Sequence, residues 1–201
     1  MTRLEAALRR VLGDLEDDGC PAAVVGGLAV SVRTEPRTTR DVDLAVAVED
    51  DRGAEQVVFR LSNRGYLPQV PIEQVATGRL ATVRMKPPGS VGETVVVDLL
   101  FASSGIEREV VERAESLEVF RGVQVPVACL ADLIALKLLS RDDSKRPQDR
   151  LDLHALLTRA TPEDLAIARA DLKLITDRGF NRRKDLKATL ETALAEFKAG
   201  P

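Results

Sequence analysis

The chain has 201 residues, 44% of them hydrophobic, a formal charge of −3 and a single histidine. That is enough apolar material for a real core, which must be aliphatic because only 3% of residues are aromatic. The balance excludes a globally basic nucleic-acid binder, and one histidine with two distant cysteines excludes a disulfide scaffold, most zinc sites and Ser-His-Asp chemistry.

In chain order, Thr2 to Asp17 reads as an amphipathic helix, with Leu4, Leu8, Val11, Leu12 and Leu15 at helical spacing and a Thr2/Glu5 capping box. Gly19-Cys20-Pro21 stops it. Ala22 to Val25 is a short buried strand that ends at Gly26-Gly27, and Leu28 to Val32 is a turn of helix. Without Cβ atoms, the two glycines let backbone N–H groups approach a phosphate at a helix start. After the loop Arg37-Thr38-Thr39-Arg40, the strand Asp41 to Val48 alternates Val42, Leu44, Val46 and Val48 with Asp41, Asp43, Ala45 and Ala47. Period two puts Asp41 and Asp43 on one face, about 6.6 Å apart at Cα, so that their carboxylates can converge on a hard cation such as Mg²⁺. Taken alone, the pair also fits the solvated face of a half-buried strand.

Asp50 to Arg64 reads as a helix with Val57, Val58 and Leu61 inward, and Tyr66 to Gln74, with two prolines, as an extended edge segment at best. Arg79 to Lys86 is a strand, Pro87 to Gly92 a turn, and Thr94 to Phe101 the hairpin partner. Its single charge, Asp98, could stand beside Asp41 and Asp43. Ser104 with Glu107 caps a helix to about Glu115, followed by short strands at Leu117 to Phe120 and Val123 to Val127.

Gly26-Gly27, a thirteen-residue gap, Asp41-x-Asp43 and a later strand aspartate resemble the signature of the DNA polymerase β-like nucleotidyltransferase superfamily. Arg37-x-Thr39-x-Asp41-Val42-Asp43-Leu44 is similar to its minimal members, closest to the AbiEii/MenT-type toxins and the antibiotic nucleotidyltransferases. The likeness covers roughly residues 20 to 155. It implies Asp41, Asp43 and Asp98 as catalytic, metal-binding residues for two Mg²⁺ ions about 3.5–4 Å apart. It implies a nucleoside triphosphate substrate, with Gly26, Gly27, Arg40, Lys137 and Asp149 binding the nucleotide. One departure stands out: the family often has Gly-Ser where this chain has Gly26-Gly27, which removes a hydroxyl from the triphosphate unless Ser31 supplies it.

From Leu130 onward the pattern is helical: Leu130 to Ser140, Gln148 to Thr158, Thr161 to Asp177 and Arg182 to Lys198. Lys137 is the only charge after Asp132 inside an apolar run and can reach a phosphate as a point charge; with its stem on the core it would equally be a snorkelling lysine. The stretch Lys145-Arg146-Pro147-Gln148-Asp149-Arg150-Leu151-Asp152 resembles the basic-acidic segment that follows this lysine in AbiEii-like proteins, with Asp149 lining the site and Asp152 structural. His154 is a helix residue without a chemical role. Residues 1–125 carry fifteen Lys/Arg against twenty Asp/Glu, whereas Lys173 to Lys187 carries six against two. The Arg178-Gly179-Phe180-Asn181-Arg182-Arg183-Lys184 corner either grips a polyanion such as tRNA, with Phe180 stacking, or is a solvated turn with Phe180 in the core.

The expected architecture is α+β, a minimal nucleotidyltransferase domain at 1–128 followed by a C-terminal helical bundle at 129–201. The expected activity is Mg²⁺-dependent transfer of a nucleoside monophosphate to an acceptor hydroxyl, foremost the tRNA 3′ end in a toxin with a cognate antitoxin. A small molecule such as an antibiotic, a protein acceptor, or a catalytically silent binding partner are the alternatives. Without a signal peptide or an apolar run of about eighteen residues, a soluble cytoplasmic protein is expected, with no membrane partner.

Overall fold

The computed structural model describes residues 1–74, 78–89, 95–142 and 147–198. Lys145, Arg146, Thr94 and the latter part of the predicted 87–92 turn lie outside the described residues.

Seven strands form one mixed sheet: β1 (Ala22–Val25), β2 (Val42–Val46), β3 (Leu67–Gln74), β4 (Arg79–Lys86), β5 (Val97–Leu100), β6 (Glu115–Phe120) and β7 (Val123–Val127), in the order β3-β4-β5-β2-β1-β7-β6. The chemistry sits at its centre. β1 pairs antiparallel to β2, with Val25 opposite Asp43, and β2 pairs parallel to β5, with Asp43 opposite Asp98. All four β1 residues are buried, and so is Ala45, on the Asp43 side of β2. The period-two pattern of β2 therefore does not mark a solvated face, because a central strand is covered on both sides. β3 is an edge strand, as its prolines require, and its register slips between Pro68 and Pro71.

The helices are α1 (Arg3–Asp17), α2 (Gly26–Arg33), α3 (Asp51–Asn63), α4 (Glu107–Glu112), α5 (Leu130–Ser140), α6 (Pro147–Arg159), α7 (Pro162–Asp177) and α8 (Leu186–Lys198). The Thr2/Glu5 capping box opens α1, and Thr161 with Asp164 opens α7 behind Pro162 at its first turn. A single cluster of buried side chains runs from Leu8 to Ala193, so the expected boundary at residue 128 passes through a shared core.

Two helix starts differ from the sequence expectation. Ser104 does not begin α4: the Glu107 carboxylate folds back to accept from Ser104 N (2.6 Å), Ser104 Oγ (2.8 Å) and Gly105 N (3.0 Å), which fixes a turn there and delays the helix to Glu107. It ends at Glu112, because β6 begins at Glu115. Nor does α8 begin at Arg182, since Arg182 and Arg183 have φ of 53° and 61°, a left-handed corner that a helix cannot contain. Asp185 opens α8 instead, accepting from Ala188 N at 2.9 Å.

Candidate active site

The β1–α2 turn and the β2 strand make the site together. Because Val25 is paired with Asp43, the residue that follows it is forced against the Asp43 side chain. Gly26 has φ +63°, and a Cβ there would lie 2.0 Å from Asp43 Oδ2. No other residue fits, on backbone and on steric grounds alike. The Gly27 N–H, at the start of α2, lies near enough to favour the ionised form of the Asp43 carboxyl.

Asp43 lies beside Asp98 across the β2–β5 ladder, and Asp41 precedes the same strand. Burial, then the charges of Asp98 and Asp41, push the Asp43 carboxyl up to about 6, against the pull of Lys137 and the Gly27 N–H. Both Asp98 oxygens are taken by Arg84, at 2.8 and 2.6 Å, and among the described residues no three His, Cys, Asp or Glu side chains stand in a ligating cluster. The physical reason is the β4–β5 register, which sets Arg84 directly opposite Asp98. In chemistry the donor set does suit a hard divalent cation: it is all oxygen, and its carboxylates repel one another.

A cleft of about 970 Å³ opens over these groups. Gly26, Gly27, Asp43, Arg84 and Asp98 line it from the sheet, Lys137 and Asp149 from the helices, and Asn181, Arg182 and Arg183 from the left-handed corner before α8. Of the expected site residues, Asp41 and Arg40 are not among those lining it; Arg40 is exposed. Lys137 is not an isolated cation: its Nζ sits 2.7 Å from Asp149 and 2.8 Å from Asp152. Burial opposes ionisation of Asp152, but Lys137, Gln148 and Arg37 outweigh it and hold that carboxyl below its ordinary range.

Sequence reasoning missed Arg84 and the destination of Arg37. Arg84 was findable, since an arginine and an aspartate at matched positions of one hairpin form a cross-strand pair. Arg37 Nη2 reaches Asp152, 115 residues away, at 2.8 Å, a contact with no local signal. Ser31 cannot stand in for the missing serine: its hydroxyl is used by the Arg37 backbone, with both N and O at 3.2 Å. Phe180 is buried against Gly105 and not available for stacking. Arg182 and Arg183, by contrast, do join the site.

A family model described as "Nucleotidyl transferase AbiEii toxin, Type IV TA system" matches residues 7–199. No curated protein matches. Among solved structures, the chain is similar to an antigenic nucleotidyltransferase-like protein from Paracoccidioides brasiliensis, at 18% identity over 93% of this chain and 91% of that one, with a TM-score of 0.53. It is also similar to ANT(2")-Ia in complex with adenylyl-2"-tobramycin, at 15% identity over 83% and 94%, with a TM-score of 0.51. At these identities the likeness is one of fold, the mixed sheet with flanking helices described above.

Proposed function

Because the chain belongs to the AbiEii nucleotidyltransferase toxin family and is a nucleotidyltransferase, we propose that it moves a nucleoside monophosphate from a triphosphate onto an RNA hydroxyl, foremost the tRNA 3′ end, with Mg²⁺. The observation that carries the RNA acceptor is the cleft itself: Asp43 and Asp98 line one wall, and the Arg182-Arg183 corner lines another. A reaction centre built of carboxylates repels a polyanion, so an RNA substrate needs cations at the rim that carry its backbone without entering the centre.

In this reading Asp41, Asp43 and Asp98 hold the divalent ions, Asp98 once Arg84 releases it. When bound, such ions neutralise the triphosphate and make the acceptor hydroxyl a better nucleophile. The acceptor oxygen forms a bond to the α-phosphorus, the bond from that phosphorus to the bridging oxygen breaks, and pyrophosphate leaves with the electron pair. The hydroxyl proton passes to Asp98, on the cleft wall. Lys137, fixed between Asp149 and Asp152, supplies positive charge near the phosphates. Gly26 leaves space for Asp43, and the Gly27 N–H favours its ionised form. The work of the protein is positioning and electrostatics. Family membership also supports a cognate antitoxin partner. No helix among the described residues is long and apolar enough to cross a membrane, and cytoplasmic action is part of the proposal.

The test is incubation with each labelled triphosphate, Mg²⁺ and total cellular RNA. Label should enter RNA with at least one triphosphate, and Asp43→Ala should abolish it. No label in RNA with any of the four removes the RNA acceptor; unchanged transfer by Asp43→Ala removes the site.

A further inference from the structure

The cleft holds more than the proposed chemistry uses. Leu133, Leu136, Lys137 and Ser140 line it from α5 at the spacing of one helical stripe, and Leu100 lines it from β5. Leu136 and Leu100 are half-buried, so apolar surface is open inside an otherwise polar cleft. Such surface next to a lysine that meets phosphates suits the flat face of a nucleobase. Asn181 lines the same cleft.

Asn181 is anchored from both sides. Phe180 before it is buried against Gly105, where a Cβ would lie 2.5 Å from the ring. Arg182 after it donates from Nη2 to Ser103 O and Oγ, both at 3.2 Å, and Lys184 Nζ ties the corner to Leu139 O and Arg141 O, both at 2.7 Å. The positive φ of Arg182 and Arg183 is disfavoured for such residues, so these contacts must impose it. The Asn181 amide is fixed as well: Nδ2 donates to Lys184 O at 2.9 Å. A carbonyl only accepts, so the bond decides which way the amide faces. Oδ1 is left with no partner among the described residues, and Asn181 thus presents a held acceptor.

An acceptor in a fixed place discriminates between bases. Cytosine and adenine carry an exocyclic amino group where uracil and guanine carry a carbonyl oxygen, which such an acceptor repels. Resting on the nucleotidyltransferase reading of this cleft, we infer that Asn181 is a base-reading residue that selects cytosine or adenine, seated on the α5 leucines. The base belongs to the donor triphosphate or to the terminal residue of the acceptor RNA; Asn181 reads the same chemistry in either.

Two series on wild type, Asn181→Ala and Asn181→Asp separate the sources: equilibrium binding of the four triphosphates in Mg²⁺ buffer, and transfer of label to short RNAs that differ only in the 3′-terminal base. In one series the wild type should prefer cytosine and adenine by about tenfold, as for one hydrogen bond made against one group left unpaired. Preference among triphosphates assigns the donor base; preference among RNAs assigns the acceptor's. Asn181→Ala should bring the four bases within about twofold of one another. Asn181→Asp loses the bond to Lys184 O but keeps an acceptor, so it should retain the preference even where a looser corner weakens binding overall. A residue that only braces the corner would weaken all four bases alike in both variants, and that result overturns the inference. So does a wild type indifferent to the base in both series, or a preference that Asn181→Ala leaves intact. Selective triphosphate binding without label in any RNA upholds the inference and removes the RNA acceptor. Equal label in every RNA from every triphosphate does the reverse.

Discussion

Two regions of the molecule gather carboxylates, and only one of them opens onto the cleft. Between α4, α5 and α7, Asp132 and Asp171 share Arg113, whose Nη2 donates to both. At the end of β2, Asp43 faces Asp98 and Asp41, and the nearby arginine, Arg84, bonds Asp98 from a side chain 48% exposed. Repulsion is common to both sets, since Asp132 raises Asp171 much as Asp98 and Asp41 raise Asp43. What sets the second apart is that Asp43 and Asp98 line the cleft, where an outside cation can join them. Repelling carboxylates cost stability until a cation joins them, which is the usual electrostatic signature of a functional site.

The contrast is sharpest in Asp43→Asn. Transfer should fall by about 10³-fold, the upper range for losing one preorganised electrostatic contact, yet the fold should not suffer. The folded state raises the Asp43 carboxyl to about 6, above its unfolded value. Its contribution to stability is therefore present in acid and lost as pH rises through about 6. Above that the ionised group is a burden the amide lacks. The Tm of Asp43→Asn should match or exceed wild type at about pH 8, with the gap closing in acid. A lower Tm at that pH would mean that Asp43 holds the fold together and would erase the distinction between the two regions.

Arg113→Ala asks the opposite question. It strands two carboxylates, Asp132 at 0% and Asp171 at 1% exposure, and should cost about 3 kcal/mol in denaturant unfolding. The triphosphate KM of the folded fraction should not change, because Arg113 does not line the cleft. A KM raised severalfold would show the structural cluster to be coupled to the site.

The difference between the regions also marks what a sequence can disclose. Gly26-Gly27 and Asp41-x-Asp43 are local, and their spacing places a helix start and two acids at one sheet end before any coordinates are known. The boundaries of α1, β1, β4 and α5 follow from caps and apolar spacing in the same way. Asp98 was placed correctly on a neighbouring strand, but its partner was not, because Arg84 meets it only through the hairpin register. Phe180 and the Arg182-Arg183 corner sit next to each other in sequence, and only the fold sends one to the core and the other two to the cleft. The start of α8 was misplaced because helical composition continues through two residues whose left-handed backbone nothing in their side chains announces.

Smaller effects sharpen the contrast further. Arg84→Ala frees both Asp98 oxygens, so the Mg²⁺ concentration for half-maximal transfer should fall about fivefold, the limit for a partly exposed ion pair of about 1 kcal/mol. An unchanged or higher requirement would make Arg84 a part of the binding wall, with no competition for Asp98.

The smallest effect distinguishes the two regions by pH. Burial and the neighbouring Asp132 raise Asp171 to about 7 despite the pull of Arg113. Like Asp43, Asp171 binds a proton in the folded state that the unfolded chain releases in the ordinary carboxylate range, so its contribution is present in acid and lost as pH rises through about 7. Wild-type Tm should therefore decline by a few degrees between about pH 5 and pH 8, from both regions at once. Asp171→Asn keeps an acceptor for Arg113 and removes one part of that decline, and Asp43→Asn removes the other. Only the Asp43 part should also vanish when Mg²⁺ and a triphosphate are added to the wild type, because a bound cation favours the ionised form of Asp43 and does not reach Asp171. A decline that neither substitution alters would place the titration in other groups, and one that Mg²⁺ abolishes in Asp43→Asn would locate cation binding away from the cleft.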